Sequence, residues 1–350
     1  MRFKALDGLR GIAAIMVALY HFGINYTPEL FYQLVILRHS YSFVDLFFVL
    51  SGFVISYNYR SLRFENLIFF AKKRFWRLYP LMIFTSSLFF IYNIYSFYPT
   101  FSNQSFTINF NEISHIIVAY VDSVFLTNSF PILSTSLGSN PPSWSISAEF
   151  VAYFLFALIS VSFKRKLLTY VVLTISGVFL CIVNQKYFAN GDFGFLRAII
   201  CFNFGSIVLF FFDKYKNLKI GFFHECASLG TFLIYIYFIL GRFHDSKFIL
   251  EAISTPIVYG FMIFVFSLSN GFISSLLSSK LLCYLGKLSY SIYLNHLIVI
   301  YGMGELMFNI LNLENSLSNQ IFYMVSSLVI ILTYSSWTFN TIEKKYNKYA

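Results

Sequence analysis

The chain has 350 residues, of which 58% are hydrophobic and only 11% are charged, and its formal net charge is +10. A soluble domain carries about a quarter charged residues, so a globule with this composition could not cover its own surface with polar groups. The composition therefore predicts an all-α integral membrane protein. It excludes a disordered chain, a collagen-like repeat, a disulfide scaffold and a soluble nucleic-acid binder.

Ten apolar runs have about the 17–25 residues that a membrane-spanning helix needs. Lys and Arg cluster in alternate loops, so the positive-inside rule predicts cytoplasmic termini and attributes most of the positive charge to topology. The shorter run 113–127 is predicted to be a re-entrant or interfacial helix within an outer loop over 98–143. Residues 1–350 thus form one predicted membrane domain. Its spans lie at about 6–26, 41–59, 78–97, 145–163, 167–185, 194–212, 225–241, 249–268, 281–302 and 319–340.

Ionisable residues inside these spans are the first candidates for function, because each costs roughly 2.5–3.5 kcal/mol at the centre of a membrane helix. In the first span, Arg10 and His21 are eleven residues apart, which places them within about 20° on one helix face and roughly 16 Å apart along the axis. Asp7 lies on the same stripe, and Gly11 beside it would let a neighbouring helix approach closely. For His21, a hydrogen bond between helices is the structural alternative to a catalytic role.

The second span contains the carboxylate of Asp45 and the two small neighbouring residues Ser51 and Gly52. Packing of a neighbouring helix through Gly52 is compatible with a functional role for these residues. Arg74 and Arg77 follow at the cytoplasmic mouth of the third span and share a helical face, because they are three residues apart. Two guanidinium groups on one face suit a phosphate or pyrophosphate, and the alternative is a positive-inside anchor that touches anionic lipid.

The fourth and ninth spans add further polar candidates. Glu149 lies about one turn inside the membrane and needs a partner, either an imidazole or a loop donor such as Arg38. In the ninth span, Lys287 lies near the cytoplasmic end and His296 nearer the outer half. A hydrogen bond between helices is again the alternative for His296. None of these groups has the spacing of metal ligands, so no metal site is predicted.

Five segments, in this order, resemble the motifs of the acyltransferase 3 family of membrane-bound acyltransferases. One family motif is an arginine and a histidine separated by ten residues, and Arg10 and His21 match it. Another is a pair of arginines separated by two residues, and Arg74 and Arg77 match it. The segments are LDGLRGIAAIMVALYHF (6–22), VDLFFVLSGFVIS (44–56), KKRFWRLYP (72–80), SWSISAEF (143–150) and LGKLSYSIYLNH (285–296).

The resemblance implies a ten-span bundle in the cell (inner) membrane, in the stand-alone form without an SGNH esterase-like domain. It also implies transfer of an acyl group, usually acetyl, from cytoplasmic acetyl-CoA or another acyl-CoA to a sugar hydroxyl. The acceptor would be an envelope polysaccharide, a lipopolysaccharide O-antigen, a related lipid-linked glycan or a small molecule. The implied partners are therefore acyl-CoA, the glycan acceptor and membrane lipid, with no nucleic acid.

The motif residues suggest how the donor is held. Arg10, Arg74 and Arg77, with Asp7 beside them, are the candidate residues that bind the phosphates of coenzyme A. The pantetheine arm would then extend along the polar stripe of the first span toward its outer half.

The same residues suggest a base for the reaction. His21 is the candidate general base, and Glu149 would orient its ring or stabilise its protonated form. Direct transfer is preferred because no activated serine or cysteine is evident, and a histidine-borne acyl intermediate is the alternative. The further site candidates are Asp45, Ser51, Trp144, Ser145 and His296.

Two other classes of function fit the composition. A multi-span transporter or flippase would use buried Asp, Arg and His for proton coupling, but no paired broken helices in matching halves support it. A structural or sensor membrane protein would leave Arg10, His21 and Glu149 with packing roles alone. Acyl-CoA-dependent label transfer by the purified protein discriminates an enzyme from both.

Overall fold

The computed structural model describes residues 2–23, 26–102, 110–130, 137–241 and 247–346, and every regular element in these ranges is helical. The longer helices are α1 (Lys4–Tyr20), α2 (Phe43–Asn58), α3 (Leu67–Ser102), α4 (Phe110–Phe125), α5 (Trp144–Ser162), α6 (Lys166–Val183), α7 (Gly194–Tyr215), α8 (Phe222–Ile234), α9 (Lys247–Leu268), α10 (Lys280–Gly304) and α11 (Leu317–Thr338). Short α-helices cover Glu29–Gln33, Val35–Arg38, Phe272–Leu277 and Lys344–Tyr346, and 3₁₀ turns cover Ser40–Ser42, Phe64–Asn66 and Pro141–Ser143.

Three of the long helices continue into wider turns. The π-helical segments Tyr235–Leu240, Glu305–Ile310 and Phe339–Glu343 extend α8, α10 and α11, respectively. Such turns accommodate an extra residue without ending the helix, so each of these helices extends beyond its regular α-helical part.

The predicted all-α membrane fold is confirmed. In the described part of the chain, eight helical stretches are long and apolar enough to cross a membrane. The helices α1 and α10, which carry Arg10 and His296, are not among these eight. Each of the ten predicted spans overlaps one long helix, and α4 covers most of the predicted interfacial run 113–127. The span count of ten and the cytoplasmic termini stay predictions.

Helix α3 begins before the third predicted span. The helix begins at Leu67 and not near residue 78, and it continues through Pro80. Its first turns are stabilised by burial of one face, because Phe70, Arg74 and Leu78 recur every four residues and are all buried. The two arginines of the basic motif therefore lie on a helix that points one face into the bundle.

Glycine brings α1 and α10 into direct backbone contact. A Cβ atom on Gly286 would lie 2.0 Å from the carbonyl oxygen of Asp7, and one on Gly11 would lie 2.7 Å from the backbone nitrogen of Gly286. A side chain at either position would therefore force the helices apart. The predicted close approach at Gly11 is confirmed, and its partner is the ninth predicted span.

A second close contact of this kind joins α2 and α7. A Cβ atom on Gly52 would lie 1.9 Å from the carbonyl oxygen of Phe202, and one on Gly205 would lie 2.0 Å from that of Val49. The predicted packing through Gly52 is thereby confirmed. The two glycine contacts fix α1 against α10 and α2 against α7.

Substitution of Gly286 by alanine should destabilise the bundle. The added methyl group overlaps backbone and not a flexible side chain, so we expect a loss of about 1–3 kcal/mol, the usual cost of overpacking. Gly302→Ala on the same helix is the matched control, because a Cβ atom there has no neighbour within 4 Å. Thermal unfolding of the detergent-purified variants should give a lower Tm for Gly286→Ala alone. Equal Tm values would contradict the close contact.

Candidate active site

A cavity of about 480 Å³ lies between α1, α2, α3, α5 and α10. Its wall is mostly apolar along α2 and is charged at the end where α1, α3 and α10 meet. The positive charges outnumber the negative ones, so the cavity favours an anionic ligand. The charged residues in its lining are Arg2, Asp7, Arg10, Arg74, Arg77, Glu149 and Lys287.

Arg10 is fixed by the contact between α1 and α10. Its Nε and Nη2 groups donate to the carbonyl oxygen of Gly286, at 3.1 and 2.5 Å. The Nη1 group has no hydrogen-bond partner among the described residues. One side of the guanidinium fork is thus held by backbone, and the other is left for a ligand in the cavity.

Arg74 is almost fully buried, with 6% of its surface exposed. Its guanidinium group lies over the rings of Tyr59 and Tyr153, 5.6 and 6.0 Å from their centroids, and Nη2 donates to the hydroxyl of Tyr59 over 3.4 Å. Its buried Nε has no hydrogen-bond partner in the described structure. A buried charged donor without a partner is costly, so Arg74 is a ready contact for a bound anion.

Arg77 and Lys287 complete the basic end of the cavity. Neither side chain has a hydrogen bond or an ion pair with another described residue. The prediction that Arg74 and Arg77 share one face is confirmed, since both line the same cavity. Asp7 lies beside them as predicted and accepts a hydrogen bond of 2.6 Å from Nε of Arg2.

Glu149 lines the cavity but has partners other than those predicted. Its Oε1 accepts from the hydroxyl of Ser51 at 2.6 Å and from the hydroxyl of Tyr153, which lies one helical turn further along α5. Among the described residues, neither His21 nor Arg38 hydrogen-bonds to this carboxylate. The predicted pairing of Glu149 with His21 is therefore wrong for this structure, because two nearby hydroxyl groups donate to Oε1 instead.

His21 is the residue that follows the last turn of α1, and its partner is His296. Nδ1 of His21 lies 3.2 Å from Nε2 of His296 and 2.8 Å from the carbonyl oxygen of Val17. His296 is fully buried, and its Nδ1 lies 3.3 Å from the carbonyl oxygen of Ile292. The structure thus shows the hydrogen bond between helices that the sequence left open for both histidines.

The cavity ends one aromatic ring away from this histidine pair. Tyr293 lines the cavity, and its ring centroid lies 6.0 Å from that of His296 and 6.0 Å from that of Phe47. Ser145, also in the lining, donates to the hydroxyl of Tyr293 at 2.9 Å. Neither His21 nor His296 is among the described residues that line the cavity, so Tyr293 separates the basic cavity from the histidine pair.

Asp45 belongs to a different cluster. Nε and Nη2 of Arg197 donate to its two carboxylate oxygens at 3.1 and 2.8 Å, and both side chains are buried. The guanidinium group also lies 4.9 Å from the ring of Trp144. Neither Asp45 nor Trp144 is among the described residues that line the cavity, so both join helices here and do not face a ligand.

Arg197 was not among the sequence candidates. An ionisable residue inside an apolar span needs a partner, and this holds for Arg197 as well as for Asp45. Their opposite charges could have suggested the pair. Their contact spans 152 residues of sequence, which no local pattern reveals.

Comparisons with known proteins matched a family model and curated relatives. A family model described as an acyltransferase domain, that of acyltransferase family 3, matches residues 3–336. "Protein 2 in picA locus" of Rhizobium radiobacter is 32% identical over 198 residues, which are 53% of this chain and 96% of that protein. "Putative acetyltransferase ORF330" of Acidianus two-tailed virus is 27% identical over 301 residues, 85% of this chain and 83% of that protein. No solved structure matches the chain.

The buried Asp45–Arg197 pair predicts a large stability effect. Asp45→Asn would leave a buried guanidinium group without its counter-charge, so we expect a loss of about 3–5 kcal/mol. The control is Asp213→Asn, because Asp213 forms an exposed ion pair of 2.5 Å with Arg60. Asp213 lies on α7, the helix that carries Arg197. That pair should contribute about 1 kcal/mol or less. Thermal unfolding of both variants tests the difference, and a small effect of Asp45→Asn would contradict a structural role.

Proposed function

Because the chain belongs to the acyltransferase 3 family, we propose that it transfers an acyl group from cytoplasmic acyl-CoA to a sugar hydroxyl presented from the other side of the cell (inner) membrane. The family match and the membrane helices make it a multi-pass membrane acyltransferase. The name of the viral relative, an acetyltransferase, supports acetyl as the group transferred.

The observation that carries the proposal is the buried, unpaired Nε of Arg74 in a cavity shared with Arg10 and Arg77. Guanidinium groups bind phosphate oxygens in a bidentate manner, and coenzyme A carries phosphates at one end of a long, mostly neutral arm. The residues present therefore fit the phosphates of an acyl-CoA substrate. The apolar wall of the cavity formed by Val44, Phe47 and other residues of α2 suits the arm.

The separation of the groups also suits an extended donor. Arg10 and His21 are eleven residues apart, about 16 Å along a helix. The cavity reaches Tyr293, whose ring packs against that of His296, the partner of His21. A donor held by its phosphates at the arginines would direct its thioester toward His21.

In the proposed reaction, the acceptor hydroxyl gives its proton to a ring nitrogen of His21 as its oxygen attacks the thioester carbonyl carbon. The new C–O bond forms, the C–S bond breaks, and the thiolate of coenzyme A takes the proton back from His21. The products are an O-acylated sugar and a free thiol. No further co-reactant and no covalent enzyme intermediate are needed.

The position of the base supports a direction of entry for the acceptor. His21 lies beyond the last turn of α1, at the end opposite the arginines, and is partly exposed. We therefore propose that the acceptor enters from that end, as a sugar of an envelope polysaccharide, a lipopolysaccharide O-antigen or a related glycan. A transporter that used the same buried charges would move its substrate without labelling it.

The proposed function predicts label transfer by the isolated protein. Protein reconstituted in liposomes with acetyl-labelled acetyl-CoA and a crude envelope glycan fraction should form labelled O-acetyl esters. His21→Ala should lower the rate by about 10²–10⁴-fold, the usual contribution of a positioned general base, while its Tm stays near that of the wild type. Transfer at the normal rate by folded His21→Ala protein would remove His21 from the mechanism. No transfer by the wild type would favour the transporter.

A second prediction concerns the donor. Arg74→Gln removes a charged contact to the phosphates, so KM for acetyl-CoA should rise about 10- to 100-fold while kcat changes less. Lys72→Gln is the matched control, because Lys72 lies on the same helix, is exposed and is not among the described residues that line the cavity. Steady-state kinetics of both variants measure the effect. Equal KM values would mean that Arg74 is only a structural or topological residue.

A further inference from the structure

The hydrogen bonds of His21 and His296 determine which ring nitrogens carry a proton. Nδ1 of His296 faces the carbonyl oxygen of Ile292, at 3.3 Å. A carbonyl oxygen can only accept, so this nitrogen carries the proton. In a neutral imidazole the other nitrogen, Nε2, then has a lone pair and is an acceptor.

The proton on His21 follows in turn. Its Nδ1 faces two acceptors, the carbonyl oxygen of Val17 at 2.8 Å and Nε2 of His296 at 3.2 Å. Nδ1 therefore carries the proton and donates to both. Nε2 of His21 is left with the lone pair, and it has no hydrogen-bond partner among the described residues.

Both rings are neutral in this arrangement. His296 is fully buried, and no carboxylate hydrogen-bonds to either ring in the described part of the chain. A buried charge without a partner is costly, so His296 gains nothing from a second proton before the reaction begins.

The packing of α1 against α10 holds the two rings in place. Gly11 contacts Gly286, and His21 contacts His296. The two contacts are ten residues apart on α1 and also ten residues apart on α10. The helices are therefore parallel and keep the same register, and the second contact lies about 15 Å from the first.

We propose that His296 is the positioning residue of His21, a conclusion that rests on the proposed function. His296 holds the ring of His21 in the tautomer with the proton on Nδ1, so that Nε2 is the general base. His296 thus has the role that a carboxylate has in a catalytic triad. As Nε2 accepts the proton of the acceptor hydroxyl, the positive charge on His21 is stabilised by the hydrogen bond from its Nδ1 to the lone pair of His296.

Two substitutions separate positioning from packing. His296→Phe keeps an aromatic ring but has no acceptor, so kcat should fall about 10- to 100-fold, the effect of one hydrogen bond to a charged group. KM for acetyl-CoA should stay the same, because the arginines bind the donor at the other end of α1. His296→Gln places a carbonyl oxygen near the position of Nε2 and should recover most of the lost kcat.

Two kinetic outcomes would overturn the proposal. One is a wild-type kcat in His296→Phe. The other is a loss in His296→Gln as large as in His296→Phe when both variants fold with the Tm of the wild type. A merely structural role would lower the Tm of both variants and would not distinguish an acceptor from a hydrocarbon ring.

A spectroscopic measurement tests the pair without any activity. The chain has six histidines, so ¹⁵N-histidine-labelled protein in bilayers gives a small set of solid-state NMR signals, and the His21→Ala variant identifies that of His21. Wild-type His21 should be protonated at Nδ1 and not at Nε2. A proton on Nε2 would refute the assignment even if the protein transfers label. A proton on Nδ1 in protein that transfers no label would refute the proposed function alone.

Discussion

The backbone contact between α1 and α10 is the constraint on which the rest of the site depends. Glycines at Gly11 and Gly286 remove the side chains that would separate the two helices. The carbonyl oxygen of Gly286 then accepts from the guanidinium group of Arg10. The same register carries His21 to His296 ten residues further on. One close contact thus fixes both Arg10 in the cavity wall and His21 beside His296.

Polar groups inside the bundle fall into clusters with different physical tasks. In the Asp45–Arg197 pair, both charges are saturated by each other, so the cluster stabilises the bundle and has nothing left for a ligand. In the cavity, the cations outnumber the carboxylates and Arg74 has an unused donor. A ligand can be bound only where hydrogen-bonding capacity is left over, and this separates the two clusters although both consist of buried charges.

Local sequence patterns predicted the helices and the faces on which polar residues lie. Spacing alone placed Arg74 beside Arg77 and predicted that Gly11 and Gly52 meet other helices, because helical periodicity is a local property. Partner choice is not local, and there the predictions were wrong or incomplete. Glu149 bonds to Ser51 and Tyr153 and not to His21, since the rotation of α5 against α2 decides which groups meet. That rotation is fixed by packing of the whole bundle.

The parallel contact of α1 with α10 also bears on how the protein is made. The hydrogen bonds that join these helices connect residues 276 and 275 positions apart in the sequence. At about 5–20 residues per second, translation needs roughly 15–55 s to cover that distance. During this time α1 has left the ribosome with charged and imidazole groups that lack their native partners. The site is therefore assembled only after α10 has been synthesised, and the polar groups of α1 must be sheltered until the glycine face of α10 arrives.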